Sequence, residues 1–233
     1  MPSESQGALM SLYEMRRSYT LGTLLEKDID PDPMVQFRRW LKEAGGAEIP
    51  EWVEINAMTL STSDASGSLS SRVVLLKGLH DEKFWFYTNY QSQKARQMAE
   101  NQRVALCFLW QHLQRQVRIE GTVAKAPREQ SEHYFNARPR ASQLGAVVSE
   151  QSSQINGREV LETRLTQFEK EFEGTDIPCP EHWGGYCVTP NRLEFWQGRE
   201  SRLHDRLVYE KAEMDADDPQ SDRTAWQISR LAP

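Results

Sequence analysis

The stretch from Asn56 to Asn89, "NAMTLSTSDASGSLSSRVVLLKGLHDEKFWFYTN", decides the fold class. "NAMTLSTS" and "SSRVVLLKGL" flank "DASGS", a cluster of turn-forming residues, and so predict a hairpin. "FWFYTN" follows after "HDEK" as a third strand, which extends the hairpin to a meander. Beyond it, "SQKARQMAENQ" predicts a short helix. "VALCFLWQ" and "RQVRIEGTVAKA" then predict another hairpin across "HLQ". Strands spaced this closely point to a curled antiparallel sheet or barrel.

Working outward, helices return at "PREQSEHYFNARP" and "GREVLETRLTQFEKEFEG". In the second, Leu161, Leu165, Phe168 and Phe172 share one face. The tail reads as three strands, "GGYCVTP", "RLEFWQG" and "RLHDRLVYEK". An acidic, disorder-prone loop, "AEMDADDPQSD", precedes a last strand in "AWQISRLAP". Towards the N-terminus, Val35, Phe37, Trp40 and Leu41 predict an amphipathic helix ended by Gly45-Gly46. Residues 1–30 are expected to form a mobile arm, and residues 31–233 a single α+β domain around a β-barrel core.

The 233-residue chain is acidic, with formal net charge -6, 38% hydrophobic and 27% charged residues. That balance argues against a general nucleic-acid binder, whose phosphate contacts need a basic surface. No run of eighteen apolar residues predicts a membrane span. Cys107, Cys179 and Cys187 form no C-x-x-C pair, so neither a zinc site nor a disulfide framework is expected, and a reducing cytoplasm is the simplest location. Any anion must therefore be held by local clusters.

Four such clusters stand out. In "RVVLLK", Arg72 and Lys77 bracket four aliphatic residues. Five apart on a regular strand they face opposite ways, so spacing alone does not bring them together, and both can equally be solvated. In "YTNYQSQKAR", Ser92 and Lys94 open a helix, whose free amides and positive dipole end suit a phosphate, although a Ser N-cap with an exposed lysine reads equally well. Tyr134, Arg138 and Ser142 recur every fourth residue and would share a helix face if the helix survived Pro139, where a break is expected. In "FWQGRESRLHDR", Arg202, His204 and Arg206 alternate along a predicted strand and line one face, which suits a solvated sheet surface or, with Trp196 beside it, a planar anion. Arg199 reads as a solvated turn residue.

In order along the chain, "RRSY" (16–19), "RVVLLKG", "FYTN", "RQVRIEG", "YFNARPRASQLGAVVSEQSS", "HWGGY", "EFWQG…RLHDR" and the terminal "RLAP" resemble the pyridoxamine/pyridoxine 5'-phosphate oxidase family. The resemblance implies an antiparallel split β-barrel with flanking helices, homodimeric, with FMN at the interface. It implies FMN contacts at Arg72, Val73, Val74, Leu75, Leu76 and Lys77, then at Tyr87, Thr88, Gln93, Lys94 and Gln116. Gln151, Ser152, Trp196 and Arg206 would complete that site, some of them from the second subunit. Lys77, Tyr134, Arg138 and Ser142 would grip the substrate phosphate, and Arg202, Leu203 and His204 would meet the substrate, Arg202 and His204 as catalytic residues. Arg16, Arg17, Ser18 and Tyr19 would form a lid.

One position departs from the pattern. Where the family usually has S-R-K, this chain has Ser92-Gln93-Lys94, and a lost charged hydrogen bond is worth about 1.5–3 kcal/mol. Arg96, one helical turn on, is a candidate substitute, and a neutral variant is the alternative. The activity implied is oxidation of pyridoxine or pyridoxamine 5'-phosphate to pyridoxal 5'-phosphate, with dioxygen giving hydrogen peroxide. The competing expectations are an NAD(P)H-dependent flavin reductase of the same fold and a non-catalytic FMN or pyridoxal-phosphate carrier.

Overall fold

The computed structural model describes residues 12–15, 17–46, 49–211 and 226–233. The strands are β1 (Ala57–Ser63), β2 (Leu69–Leu75), β3 (Gly78–His80), β4 (Lys83–Asn89), β5 (Arg103–Trp110), β6 (Arg115–Lys125), β7 (Trp183–Gln197), β8 (Asp205–Lys211) and β9 (Trp226–Arg230). The helices are α1 (Pro33–Gly46), α2 (Gln93–Glu100), α3 (Arg128–Asn136), α4 (Arg140–Val148) and α5 (Arg158–Glu171). All strand pairs are antiparallel, in the order β2-β1-β5-β6-β7-β4-β3, with β8 paired to β7 and β9 to β8.

The β1–β2 hairpin forms as its sequence predicts. Asp64 Oδ1 accepts the Ser66 and Ser68 amides at 2.9 Å each, and Gly67 takes the left-handed backbone (φ 86°) that closes the turn. The expected meander does not follow, because β4 pairs with β3 and β7 instead of β2. Asp81 and Glu82, both at positive φ (52° and 54°), make a tight two-residue turn that folds β3 back on β4. Only Leu76 and Lys77 separate β2 from β3, yet these strands stand at opposite ends of the order. The three steps from Leu75 to Gly78 span roughly 11 Å at most. The sheet must therefore curl into a half barrel until its ends nearly meet.

A second correction concerns the tail, where "GGYCVTP" and "RLEFWQG" are one strand. β7 pairs with β6 along one edge and divides its other edge, giving residues 183–188 to β4 and 192–197 to β8. Pro190, which has no amide to donate, sits at the gap between those partners. Opposite it the β6 register slips between Glu120 and Gly121. A Cβ on Gly121 would lie 2.3 Å from the Thr189 carbonyl oxygen, so only glycine fits this crossing.

The concave face buries Leu60, Leu106, Phe108, Val117, Ile119, Phe195 and Leu207. α1 covers it through Met34, Phe37, Trp40 and Ala44, with Val35 exposed rather than on the buried face. Phe37 meets Phe84 and Phe108 edge-on at 5.0 Å, and burying such a ring is worth about 1.5–3 kcal/mol. A smaller core joins Phe135, Leu144, Ile177 and Trp183. Of the face predicted on α5, Phe168 and Phe172 pack there as a stacked pair, while Leu165 is exposed. Among the described residues no helix is long and apolar enough to cross a membrane.

Candidate active site

Where the curled sheet closes, β2, β4, the start of α2 and the α3–α4 turn enclose a cavity of about 630 Å³. Arg72 and Lys77 both line it, because β2 ends at Leu75 and the strand alternation that would separate them stops there. Val73, Val74 and Leu75 line it too, whereas Leu76 is buried in the core. Arg72 donates to Thr62 Oγ1 (2.7 Å), the Leu60 carbonyl (3.1 Å) and Ser70 Oγ. Gln97 Oε1 in turn accepts from Thr62 and Ser70 at 2.6 Å each. This supporting set escaped sequence reasoning; its one signal was a polar residue on the apolar face of α2.

Lys94 projects into the same cavity from the first turn of α2. Its ammonium donates to Gln151 Oε1 (2.7 Å), Thr88 Oγ1 (3.1 Å) and Ser92 Oγ (3.3 Å), all neutral. Burial, followed by the charge of Arg72, lowers its pKa to about 8. Ser92 caps no amide of the helix; its hydroxyl donates to the Asn89 carbonyl instead. The Gln93 amide reaches Ser152 Oγ at 3.2 Å, but the Gln93 side chain is exposed and outside the cavity lining. Arg96, the candidate substitute, is outside the cavity lining and its guanidinium bonds the Gln91 carbonyl.

The far wall is aromatic. Tyr87 and Tyr134 stack at 4.0 Å, and both lie nearly parallel to Trp183. The helix does break at Pro139, with α3 ending at Asn136 and α4 starting at Arg140, yet Tyr134, Arg138 and Ser142 still line one wall. The Arg138 guanidinium lies 4.8 Å over the Trp183 ring, and burial lowers its pKa. Its Nη1 is buried with no hydrogen-bond partner. Among the described residues, Arg72, Lys94 and Arg138 have no carboxylate partner. Lys94 is buried and the other two are half-buried, and cations withdrawn from water without a counter-charge are costly unless an anion arrives. The donor set thus fits a phosphorylated aromatic ligand, and with two separate cationic corners it fits two phosphates.

A second cavity, of about 740 Å³, lies between the N-terminal arm and the β7–β8 connection, lined by Arg17, Ser18, Tyr19, Trp196, Arg202 and His204 among others. Arg16 lies outside the described residues. Here the predicted strand starts late. Ser201 and Arg202 have positive φ (54° and 62°) and β8 begins only at Asp205, so Arg202 and His204 stand on a loop and not in strand alternation with Arg206. Leu203 is exposed and outside the lining. His204 packs against Trp196 (4.6 Å) and Tyr19 (5.6 Å). Its Nδ1 accepts the Arg199 amide at 3.0 Å, which fixes the neutral ring with its proton on Nε2. Burial and then the Arg202 charge lower its pKa. Arg199, read as a plain turn residue, thus orients the imidazole through its main chain.

Gln116, Trp196 and Arg206 form a row across β6, β7 and β8, alternating with the core residues Val117, Phe195 and Leu207 and so facing outward. None lines the first cavity. Arg206 donates to Glu194 Oε1 (2.8 Å) and the Ala232 carbonyl (2.9 Å). Glu194 is 2% exposed. Burial would raise its pKa, but the Arg206 hydrogen bond and the charges of Arg206, Arg118 and Arg192 outweigh it and hold the carboxyl below its usual range. The expected cofactor set therefore falls into two groups that one subunit does not bring together.

A family model described as "Pyridoxamine 5'-phosphate oxidase" matches residues 47–171, more than half of the chain. A second, the "Pyridoxine 5'-phosphate oxidase C-terminal dimerisation region", matches residues 183–233. The chain belongs to the pyridoxine/pyridoxamine 5'-phosphate oxidase family. It is 57% identical to the enzyme of that name from Rhodopirellula baltica, over 94% of this chain and 96% of the relative. With the one from Cupriavidus necator it shares 49% identity over 97% and 100%. Among solved structures it is similar to PhzG from Burkholderia lata, crystallised with tetrahydrophenazine-1-carboxylic acid (TM-score 0.79, 26% identity, 91% and 99% covered). It also shares the fold of an FMN-binding, oxidase-related protein from Nostoc punctiforme (TM-score 0.64, 14% identity, 88% and 100% covered). The protein is thus an oxidoreductase of the pyridoxine/pyridoxamine 5'-phosphate oxidase family with the split-barrel fold, and its dimerisation region carries β7, β8, β9 and the second cavity's loop.

Proposed function

We propose that the protein oxidises pyridoxine 5'-phosphate and pyridoxamine 5'-phosphate to pyridoxal 5'-phosphate, using FMN and dioxygen and releasing hydrogen peroxide, with ammonia from the amine. The observation that carries this reading is the set of cations without counter-charges around one aromatic-walled cavity, Lys94 buried and Arg72 and Arg138 half-buried. Bound FMN supplies a two-electron acceptor that dioxygen can restore, which no side chain offers.

Arg72, Lys94 and the open amides of α2 hold the FMN phosphate, helped by Thr88 and Gln151, which already orient the Lys94 ammonium. Lys77, Tyr134, Arg138 and Ser142 hold the substrate phosphate on the opposite wall. In a homodimer the row Gln116–Trp196–Arg206 and the loop bearing Arg202 and His204 come from the partner and complete the site. His204 donates from Nε2 to the substrate's C4' oxygen or nitrogen and orients it. It does not abstract the proton, because its Nδ1 is already occupied by the Arg199 amide. Arg202 adds positive charge above the pyridine ring.

The test is to purify the protein, record the flavin spectrum and measure peroxide with pyridoxine or pyridoxamine 5'-phosphate, using unphosphorylated pyridoxine as the control. Peroxide with the phosphorylated substrates only is expected. A yellow protein that yields none would be a carrier, and NAD(P)H consumption in its place would make it a flavin reductase.

A further inference from the structure

Gln114 stands at a junction that neither cavity includes. It ends the short turn between β5 and β6 in the left-handed region (φ 54°, ψ 41°), where glycine or asparagine is the easier residue. The chain keeps a longer amide there and uses its oxygen. Gln114 Oε1 accepts the amides of Thr20 (2.9 Å) and Leu21 (3.1 Å). Its main-chain carbonyl accepts the Gly198 amide at 2.8 Å and Gln197 Nε2 at 3.3 Å. One residue therefore ties the N-terminal arm to the start of the loop that carries Arg202 and His204.

Beyond Gln114, the arm is held at Leu24, which is buried in the core and whose carbonyl accepts from Arg230 Nη2 at 2.8 Å. Between Arg17 and Leu24, no main-chain amide bonds another main-chain group among the described residues. The amides that do find partners use side-chain acceptors, Gln114 for Thr20 and Leu21 and Asp205 for Leu24 (3.0 Å). Immediately before the Gln114 clamp, Tyr19 lays its ring edge-on against Trp196 (5.9 Å) and His204 (5.6 Å). The fit is close, since a Cβ on Gly198 would meet that ring at 2.9 Å. A shift of the arm by one residue would pull Tyr19 off His204 and open the cavity wall.

We infer that Gln114 is a positioning residue for substrate binding: its side-chain oxygen sets the placement of Arg17, Ser18 and Tyr19 over the His204 cavity without touching substrate itself. The inference rests on the proposed function for the arm's contact with substrate, and on geometry alone for the clamp.

Two variants of the FMN-loaded enzyme test it. Gln114→Gly relaxes the left-handed backbone and keeps the carbonyl bonded to Gly198, so it removes only the side-chain amide, the acceptor for Thr20 and Leu21 and the long donation from Nε2 to the Ser18 carbonyl (3.5 Å). Gln114→Glu keeps an acceptor oxygen at the same reach. Loss of two hydrogen bonds predicts a KM for pyridoxine 5'-phosphate raised about tenfold in Gln114→Gly, with kcat within about twofold and FMN affinity unchanged. Gln114→Glu should restore KM. Limited trypsin digestion, read as cleavage after the exposed Arg17, gives a second readout that needs no substrate. Cleavage should be faster in Gln114→Gly and normal in Gln114→Glu. A Gln114→Gly enzyme with wild-type KM and cleavage rate overturns the inference, as does a Gln114→Glu enzyme as impaired as Gln114→Gly. Should the wild-type protein release no peroxide at all, the proposed function fails while the digestion result still decides the clamp.

Discussion

Raising the pH from 7 to 9 is expected to weaken FMN binding about tenfold, with Lys94 as the cause. Lys94 is 9% exposed, and burial followed by the Arg72 charge lowers its pKa from 10.5 to about 8. At about 1.4 kcal/mol per pH unit, that gap corresponds to about 3 kcal/mol. For the ligand-free protein the sign is unfavourable. Below pH 8 the folded state holds a charge it would rather shed, and stability rises from about pH 8 to 10.5, where the unfolded chain binds more protons. A phosphate against Lys94 reverses this by favouring the ammonium. If the bound pKa returns to 10.5, the dissociation constant at pH 9 is about tenfold that at pH 7, and binding takes up about 0.9 proton. Quenching of flavin fluorescence gives the first quantity, and calorimetry in buffers of different ionisation heat gives the second. Lys94→Arg keeps its charge throughout and should show a flat profile. The reasoning fails if wild-type affinity is constant from pH 7 to 9 with no proton uptake, or if Lys94→Arg shows the same slope.

Three further outcomes are expected. Arg138→Met removes a half-buried guanidinium whose Nη1 lacks a hydrogen-bond partner, so KM for the phosphorylated substrate should rise by about 10–100-fold while FMN affinity holds, as a lost charged hydrogen bond implies; steady-state kinetics beside flavin titration will check it. Glu194→Gln leaves Arg118, Arg192 and Arg206 facing a neutral group, and should weaken FMN binding and the dimer without altering the first cavity's phosphate response, as read by flavin titration and sedimentation. Gly121→Ala forces a Cβ against the Thr189 carbonyl and should cost about 1–3 kcal/mol, visible as a lower thermal midpoint.

The hairpins and their turns were legible because β1, β5 and β6 alternate buried with more open positions, a period that sequence records directly. The partners of β4 were not. They depend on a turn at Asp81-Glu82 whose left-handed backbone carries no glycine to announce it. The charged residues of the first cavity were named in advance through the family resemblance, since spacing argued against Arg72 and Lys77 converging. What corrects that argument is where β2 stops, a boundary set by tertiary curl and not by local pattern. Gln97, Gln114 and Glu194 stayed hidden for a related reason. Each is an ordinary polar residue whose role comes from a partner at least 12 positions away.

The division of β7 between two partners explains why the candidate site is divided as well. The half of β7 given to β4 faces the seam where the sheet closes, and the first cavity opens there with its phosphate-seeking cations. The half given to β8 leads into the loop holding Arg202 and His204, and the second cavity opens there under the arm. The two cavities share no lining residue. A single long strand thus fixes both half-sites rigidly while keeping them apart within one subunit. The proposed function resolves this with a two-fold dimer through the matched C-terminal region, in which each subunit's first half would meet its partner's second, twice over. On this reading dimerisation assembles the active site, and a variant that weakens the interface should lose turnover and FMN together. Mixing two impaired variants tests that consequence, one carrying Arg138→Met and the other His204→Ala, assayed at substrate far below the raised KM, where neither alone turns over appreciably. Subunit exchange should restore about a quarter of wild-type activity per total site, since half the dimers are mixed and each has one intact pair. No recovery after exchange would place both halves in the same subunit.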